Sequence, residues 1–340
     1  MSVSGNALTM RELNINLVRN AVKTMQMATK QQIAEATGLS TVTVGTLIQQ
    51  LLESGEISEV EQAPSSGGRP AHQFCFNAEY AHILVLFSHE QDGSDLLHMR
   101  VANLYGEVRL EREVILEDIH LDTFQPYIDE CLLAFPTIRA IGFGLPGFEV
   151  DGKIIWLDYQ SLMGERLTES YAQRYNLPVI FENDVNAAAL GYCRRKDIHS
   201  EAAVVYAYFP AKYGPGSGIV IDGKLYKGLT NYAGEISTIP FGIDWLDPAL
   251  YQSADRFCPT IAKTVVAMSS LLNPHSIILH GRFLTPEAIT DIERICAEHV
   301  PQTSVPHIHL SEDFLADYQC GMIHQTLAQL DHSLTLTHTT

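Results

Sequence analysis

Long apolar runs are missing from this chain. No stretch approaches the roughly 18 uncharged apolar residues that a membrane-spanning helix needs, and residues 1–10 have neither the basic start nor the apolar centre of a signal peptide. A cytoplasmic protein without membrane contact is expected. Cysteine is sparse as well: the six cysteines stand at least 24 positions apart with no Cys-x-x-Cys pair, which argues against a disulfide framework and a zinc knuckle. Basic residues are outnumbered, 22 Lys and Arg against 40 Asp and Glu, for a net charge of −18. That balance argues against unspecific attraction to nucleic acid or to anionic lipid. The chain nevertheless has 340 residues, 46% of them hydrophobic, enough for two or three domains with a sizeable core.

The shortage of basic residues is uneven. Residues 1–76 hold five Lys or Arg and six Glu, whereas the remainder holds 17 basic and 34 acidic groups. A nearly neutral head on an acidic body marks a boundary near residue 77 and leaves DNA binding to the head. There, Leu13, Leu17, Val18, Ala21, Val22 and Met25 recur at helical spacing. A second helix is predicted over 31–36, a turn at Gly38-Leu39, and a third helix from Thr41 to about Ser54 with Ser40 as its N-cap. Val44, Leu47 or Ile48, and Leu51 form the buried stripe of this third helix. Its outward side chains Thr41, Thr43, Thr46 and Gln49, with Ser40 at the start, suit a helix pressed into a major groove. Strands over 56–60 and 73–76 flank the tip Pro64-Ser65-Ser66-Gly67-Gly68-Arg69-Pro70, which is the pattern of a wing. Arg69 is placed to meet a phosphate or a minor groove, although Glu56, Glu59 and Glu61 nearby oppose that.

The body, residues 78–340, opens on strands predicted over 82–87, 96–104 and 108–115, then a helix near 124–135 and a strand over 140–144 ending in Gly144-Leu145-Pro146-Gly147. A similar order follows after residue 202, with strands over 203–208, 218–221 and 224–226, a helix over 261–272 and a strand over 276–279. Helices over 287–298 and 316–330 close the chain. Two related α/β halves with a ligand cleft are expected. At the centre stands Phe181-Glu182-Asn183-Asp184-Val185-Asn186-Ala187-Ala188-Ala189, where a buried strand gives way to a helix. Asn183 and Asp184 then lie at the carboxyl end of a strand, where such sheets place ligands. Either residue could equally serve as the helix cap.

These pieces together resemble the ROK family of sugar-responsive repressors and sugar kinases, in particular its repressors with an amino-terminal winged helix. The resemblance is carried by Gly67-Gly68-Arg69-Pro70, Gly144-Leu145-Pro146-Gly147, the segment from Leu177-Pro178 through Ala189, the run Gly216-Ser217-Gly218-Ile219-Val220-Ile221-Asp222-Gly223-Lys224-Leu225, and Ala233-Gly234-Glu235-Ile236. It implies an α/β chain with a winged helix-turn-helix over 1–77 and, over 78–340, a two-lobed actin-like, ribonuclease H-like domain of the sugar-kinase type. It also implies that Asn183, Asp184, Glu235 and Gly147 form a sugar site, with Asp184 matching the general base of the kinases.

The departures are as telling. The kinases open with an Asp-x-Gly-Gly-Thr type loop whose glycines let backbone amides approach ATP phosphates; here Ser88-His89-Glu90 stands instead. Lys212-Tyr213 precede Gly214-Pro215-Gly216 where Gly-Thr is usual, and Pro215 removes an amide donor. The late strand ends in His280-Gly281-Arg282-Phe283 rather than a glycine cluster. The family's zinc-binding Gly-His and cysteine cluster is absent, since Ser237-Thr238 follow Glu235-Ile236 and residues 239–251 contain neither cysteine nor histidine. Thr238 thus replaces a histidine contact to the sugar, and Trp245 is expected to fill core space. No zinc, no other metal, no ATP and no catalytic residue are expected. The expected partners are operator DNA and a sugar or sugar derivative, with assembly as a homodimer or homotetramer. A sugar kinase fused to a winged helix and a DNA-binding regulator with a decayed effector site are the alternatives.

Overall fold

The computed structural model describes residues 3–60, 72–91, 94–116, 119–198, 202–210 and 212–333. Contacts group them into two units. One holds the described residues up to His82 with Asn103–Glu107 and the residues from Leu330 on; the other holds Ile83–Ala102 and Val108–Gln329.

In the first unit α1 (Val3–Met25), β1 (Met27–Thr29), α2 (Lys30–Thr37), α3 (Thr41–Ser54), β2 (Ile57–Val60) and β3 (Gln73–Phe76) follow in order. The caps explain the spacing. Thr29 and Gln32 bond each other's backbone at the start of α2, the Gly38 N–H closes that helix on Ala34 O, and Ser40 Oγ accepts from Thr43 N at 3.1 Å to start α3. Val44, Leu47, Ile48 and Leu51 all turn inward onto Val18, Val22, Ile33 and Phe74. Strand β1, which the sequence reading did not anticipate, pairs with β3 and completes a three-stranded sheet in the order β1-β3-β2. The segment from Glu61 to Ala71, with Arg69 and the expected tip, lies outside the described residues. Replacing Ser40 by Ala removes one cap acceptor and should cost about 1 kcal/mol, read as a lower urea midpoint for this unit.

The second unit is built twice over. Its first half runs β4 (His82–Gln91), β5 (Ser94–Asn103), β6 (Val108–Leu116), α4 (Gln125–Ala134), β7 (Ile138–Leu145), a hairpin of β8 (Gly147–Val150) and β9 (Lys153–Leu157), α5 (Leu167–Tyr175), β10 (Val179–Asn183) and α6 (Asp184–Arg195). The second half runs β11 (Val204–Tyr208), β12 (Gly216–Ile221), β13 (Lys224–Leu225), α7 (Ala254–Leu272), β14 (Ser276–His280), α8 (Pro286–Ala297), β15 (His307–Leu310) and α9 (Phe314–Ser333). Apart from the inserted hairpin, both read βββαβαβα. The two sheets have the matching orders β6-β5-β4-β7-β10 and β13-β12-β11-β14-β15. Strands β4 and β11 are central and covered on both faces, which is why they read as unbroken apolar runs. Each sheet closes its own core, around Leu86, Phe124, Phe143 and Tyr171 in the first half and Val205, Phe257, Ile277 and Ile292 in the second.

The last helix of each half packs on the other half's sheet. A Cβ added to Gly218 of β12 would stand 2.5 Å from Val185 O of α6, and one added to Gly142 of β7 would stand 2.1 Å from Thr326 Oγ1 of α9. The two helices cross each other reciprocally. Gly191 lies against Asp317 O and Gly321 against Ala187 O, each so close that an added Cβ would stand at 1.9 Å.

Candidate functional site

A cavity of about 110 Å³ opens at the carboxyl ends of β4, β7, β10 and β11. The first half contributes Ser88, Glu90, Gly147, Asp158, Asn183 and Asp184; the second contributes Tyr208, Gly216, Ser217 and Glu235. Asn183 is the cap of α6: its Oδ1 accepts from Val185 N (2.9 Å) and Asn186 N (3.0 Å), and its Nδ2 donates to Gly147 O (3.2 Å). Asp184 is the first helical residue, and its Oδ1 accepts from Val185 N at 2.9 Å. The two readings of this pair are thus divided between its members, with Asn183 fixing the helix and Asp184 left in the cavity wall.

The electrostatics of this wall are unusual. Burial pushes the Asp184 carboxyl up to about 7, with the Glu235 carboxylate adding to the shift and the Val185 N–H opposing it. Asp158 is likewise pushed up to about 7 by burial, then by Asp184, Glu235 and Asp95, with Lys212 opposing. Burial raises Glu235 too. The Lys212 ammonium stands 3.1 Å from Asp95 Oδ2. Thr238 does not reach the cavity wall; it is exposed, its Oγ1 donates to Glu235 O (2.7 Å) and accepts from Tyr232 OH (2.8 Å), and Ser237 lines the wall instead.

Where the resemblance leads one to expect a glycine loop, Ser88, His89 and Glu90 line the cavity. His89 stacks near Phe314 (5.4 Å between ring centres), which also faces His280 (5.6 Å) and lies flat on Tyr208 (4.1 Å). Burial, then the neighbouring His98, His280 and Arg282, hold His89 down at about 4, so the ring is neutral near pH 7.

In the first unit, Thr41, Thr46 and Gln49 are exposed on α3, and Thr43 is half-buried and bonded to Ser40. Val42, not singled out from the sequence, is 79% exposed between them. A methyl-bearing side chain there suits contact with a thymine methyl. Glu56, counted against DNA binding from its position, is buried and paired with Arg19, so it presents no charge to a ligand.

The sequence profile described as the ROK family matches residues 91–244. A xylose repressor of Caldicellulosiruptor bescii is 26% identical over 254 residues, covering 71% of this chain and 62% of that repressor. This chain spans less than two thirds of the length of these curated relatives. Among solved structures, a ROK family transcriptional regulator, a homologue of the E. coli MLC protein, superposes with a TM-score of 0.72 at 16% identity, over 97% of this chain and all of that one. A ROK family glucokinase from Streptomyces griseus, solved with glucose and AMPPNP, superposes with a TM-score of 0.57 at 16% identity, over 72% of this chain and 99% of the kinase. The α/β fold expected from the sequence is borne out by these superpositions.

Within the second unit, sequence reasoning missed Trp156 and Asp158, both in the cavity wall, because it missed the β8–β9 hairpin that carries the first and leads directly into the second. The signal was present. Asp151-Gly152, with φ of 51° and 73°, is the Asp-Gly turn that joins two short strands. Trp245 packs in the second core against Phe209, whereas the 58% exposed Trp156 offers an aromatic face at the cavity.

Proposed function

We propose that this protein is a sugar-responsive transcriptional regulator acting in the cytoplasm. Residues 1–77 form the DNA-binding domain, with Ser40, Thr41, Thr43, Thr46, Gln49 and Arg69 toward operator DNA. Residues 78–340 bind a sugar or sugar derivative through Asp184, Glu235 and Gly147, with Asn183 holding the floor, and assemble the chain as a homodimer or homotetramer. The observation that carries the reading is Asp184: a carboxylate at a helix start, facing a cavity with Glu235, is a two-acceptor group suited to neighbouring sugar hydroxyls. Its partner observation is the exposed hydroxyl and amide face of α3. The names of the relatives agree with both.

The domain acts without ATP chemistry. Ser88-His89-Glu90 stand where the kinases have glycines, Pro215 has no N–H to offer, and Glu90 adds negative charge at the cavity. The kinase reading is favoured by Asp184 itself, and sugar-dependent ATP hydrolysis by the purified chain would establish it.

Thermal unfolding against pentoses, hexoses, amino sugars and their phosphates tests the effector site. One selective class should raise the midpoint, because a ligand at about 100 times its Kd adds about 2.7 kcal/mol to the native state. Asp184→Asn should abolish that shift. No shift with any sugar would leave the body without an effector. For the head, Arg69→Ala should lower the slope of log K against log salt by about 1; an unchanged slope removes Arg69 from the interface.

A further inference from the structure

The carboxylates of Asp158, Asp184 and Glu235 face one cavity and couple to one another, and Lys212, the ammonium beside them, is engaged with Asp95 at 3.1 Å. A second, independent observation points to a ligand. Asn186 lines the same cavity and is 5% exposed; its Nδ2 faces the carboxylate of Glu182 (3.4 Å), which fixes the amide orientation and leaves Oδ1 as a buried acceptor with no partner among the described residues. Asp95 Oδ1 is a second such acceptor. Both require a donor from outside the protein.

The ligand that meets these demands is rich in donors and positively charged. A metal ion is disfavoured, because among the described residues no three carboxylate, imidazole or thiolate groups converge closely enough to hold one. A phosphorylated sugar would bring more negative charge to an acidic wall. A neutral sugar satisfies the acceptors but covers the carboxylates without a counter-charge. We propose that the effector is an unphosphorylated amino sugar with a free amine, its ammonium held by Asp158 and its hydroxyls by Asp184 and Glu235. This deepens the effector reading above and rests on it.

The experiment is isothermal titration of the full chain at pH 7, where a sugar amine is largely protonated. The probes are glucosamine, galactosamine and mannosamine, each with its parent hexose, its N-acetyl derivative and its 6-phosphate. At least one free amine should bind 10-fold or more tightly than all three counterparts, and Asp158→Asn should bring the ratio of amine to parent hexose close to one. A merely structural role for Asp158 would weaken both ligands and leave the ratio unchanged, which overturns the assignment. Equal or tighter binding of a neutral or phosphorylated counterpart overturns the charge assignment and leaves the effector reading standing. Absence of binding by every member overturns the amino-sugar assignment and leaves the effector reading to the wider thermal panel.

Discussion

Gly191→Ala is expected to destabilise the second unit by at least about 3 kcal/mol, and Gly321→Ala by a similar amount. The new methyl carbon would stand 1.9 Å from a carbonyl oxygen of the opposing helix, Asp317 in one case and Ala187 in the other, so α6 and α9 must separate. Backbone cannot move aside as a flexible side chain can. For a domain of this size the loss corresponds to a midpoint lower by roughly 6–12 °C. The double variant should cost less than the sum, because one separation accommodates both methyls. Gly45→Ala is the control: its nearest neighbour would be Lys30 Nζ at 4.0 Å, and alanine in a helix interior should stabilise α3 by about 1 kcal/mol. Equal midpoints for Gly191→Ala and the unaltered protein would mean that the helices do not cross so closely.

The second large effect is linked to pH. In the ligand-free protein Asp158→Asn should raise stability at pH 8 and change it little at pH 4.5. The reasoning follows from the raised folded-state value of about 7 against 3.8 unfolded. Between these values the native state holds more protons than the unfolded chain, so the wild type loses stability as pH rises through this window, and above pH 7 the full penalty is present. Asparagine carries no such penalty. A shift of this size in an isolated site would exceed 4 kcal/mol, but water reaches the cavity and the three carboxylates share their repulsion, so about 1–2 kcal/mol is expected. Asp184→Asn should follow the same pattern with a smaller gain, because the Val185 N–H bond then goes to a neutral amide oxygen instead of a carboxylate. A gain for Asp158→Asn that is the same at pH 4.5 and 8 would show that the carboxylate is not strained by burial. The stability forgone by the unaltered protein at neutral pH is the usual mark of a binding site held ready for a ligand.

How much of this was legible in the chain depended on how local each determinant is. Ser40 and Gly38 determine the helix-turn-helix through bonds to residues within four positions, and both were readable. Strands β4 and β11 announced themselves as apolar runs. Strand β1 did not, because three residues carry no period and its partner β3 lies 44 positions away or more at each pair. Asn183 and Asp184 were located, yet which of them capped α6 required the backbone. The aromatic cluster behind the cavity could not be read at all, since His89, Tyr208, His280 and Phe314 come from four distant segments. The same holds for the neutralisation of Glu56 by Arg19. The domain edge was visible as a change in charge, while the contribution of Asn103–Glu107 to the first unit, a turn between two strands of the body, has no compositional mark.

The reciprocal crossing of α6 and α9 supplies a ruler between the two halves. Gly191 and Gly321 are counterparts across an approximate dyad, and counting back seven residues from each arrives at the first residue of its helix: Asp184 in one, Phe314 in the other. The residue that mirrors Asp184 is therefore the ring stacked on Tyr208 and set against His89 and His280. The two helix starts meet at one cavity rather than two: Asp184 stands in its wall, and Phe314 backs the wall residues His89 and Tyr208.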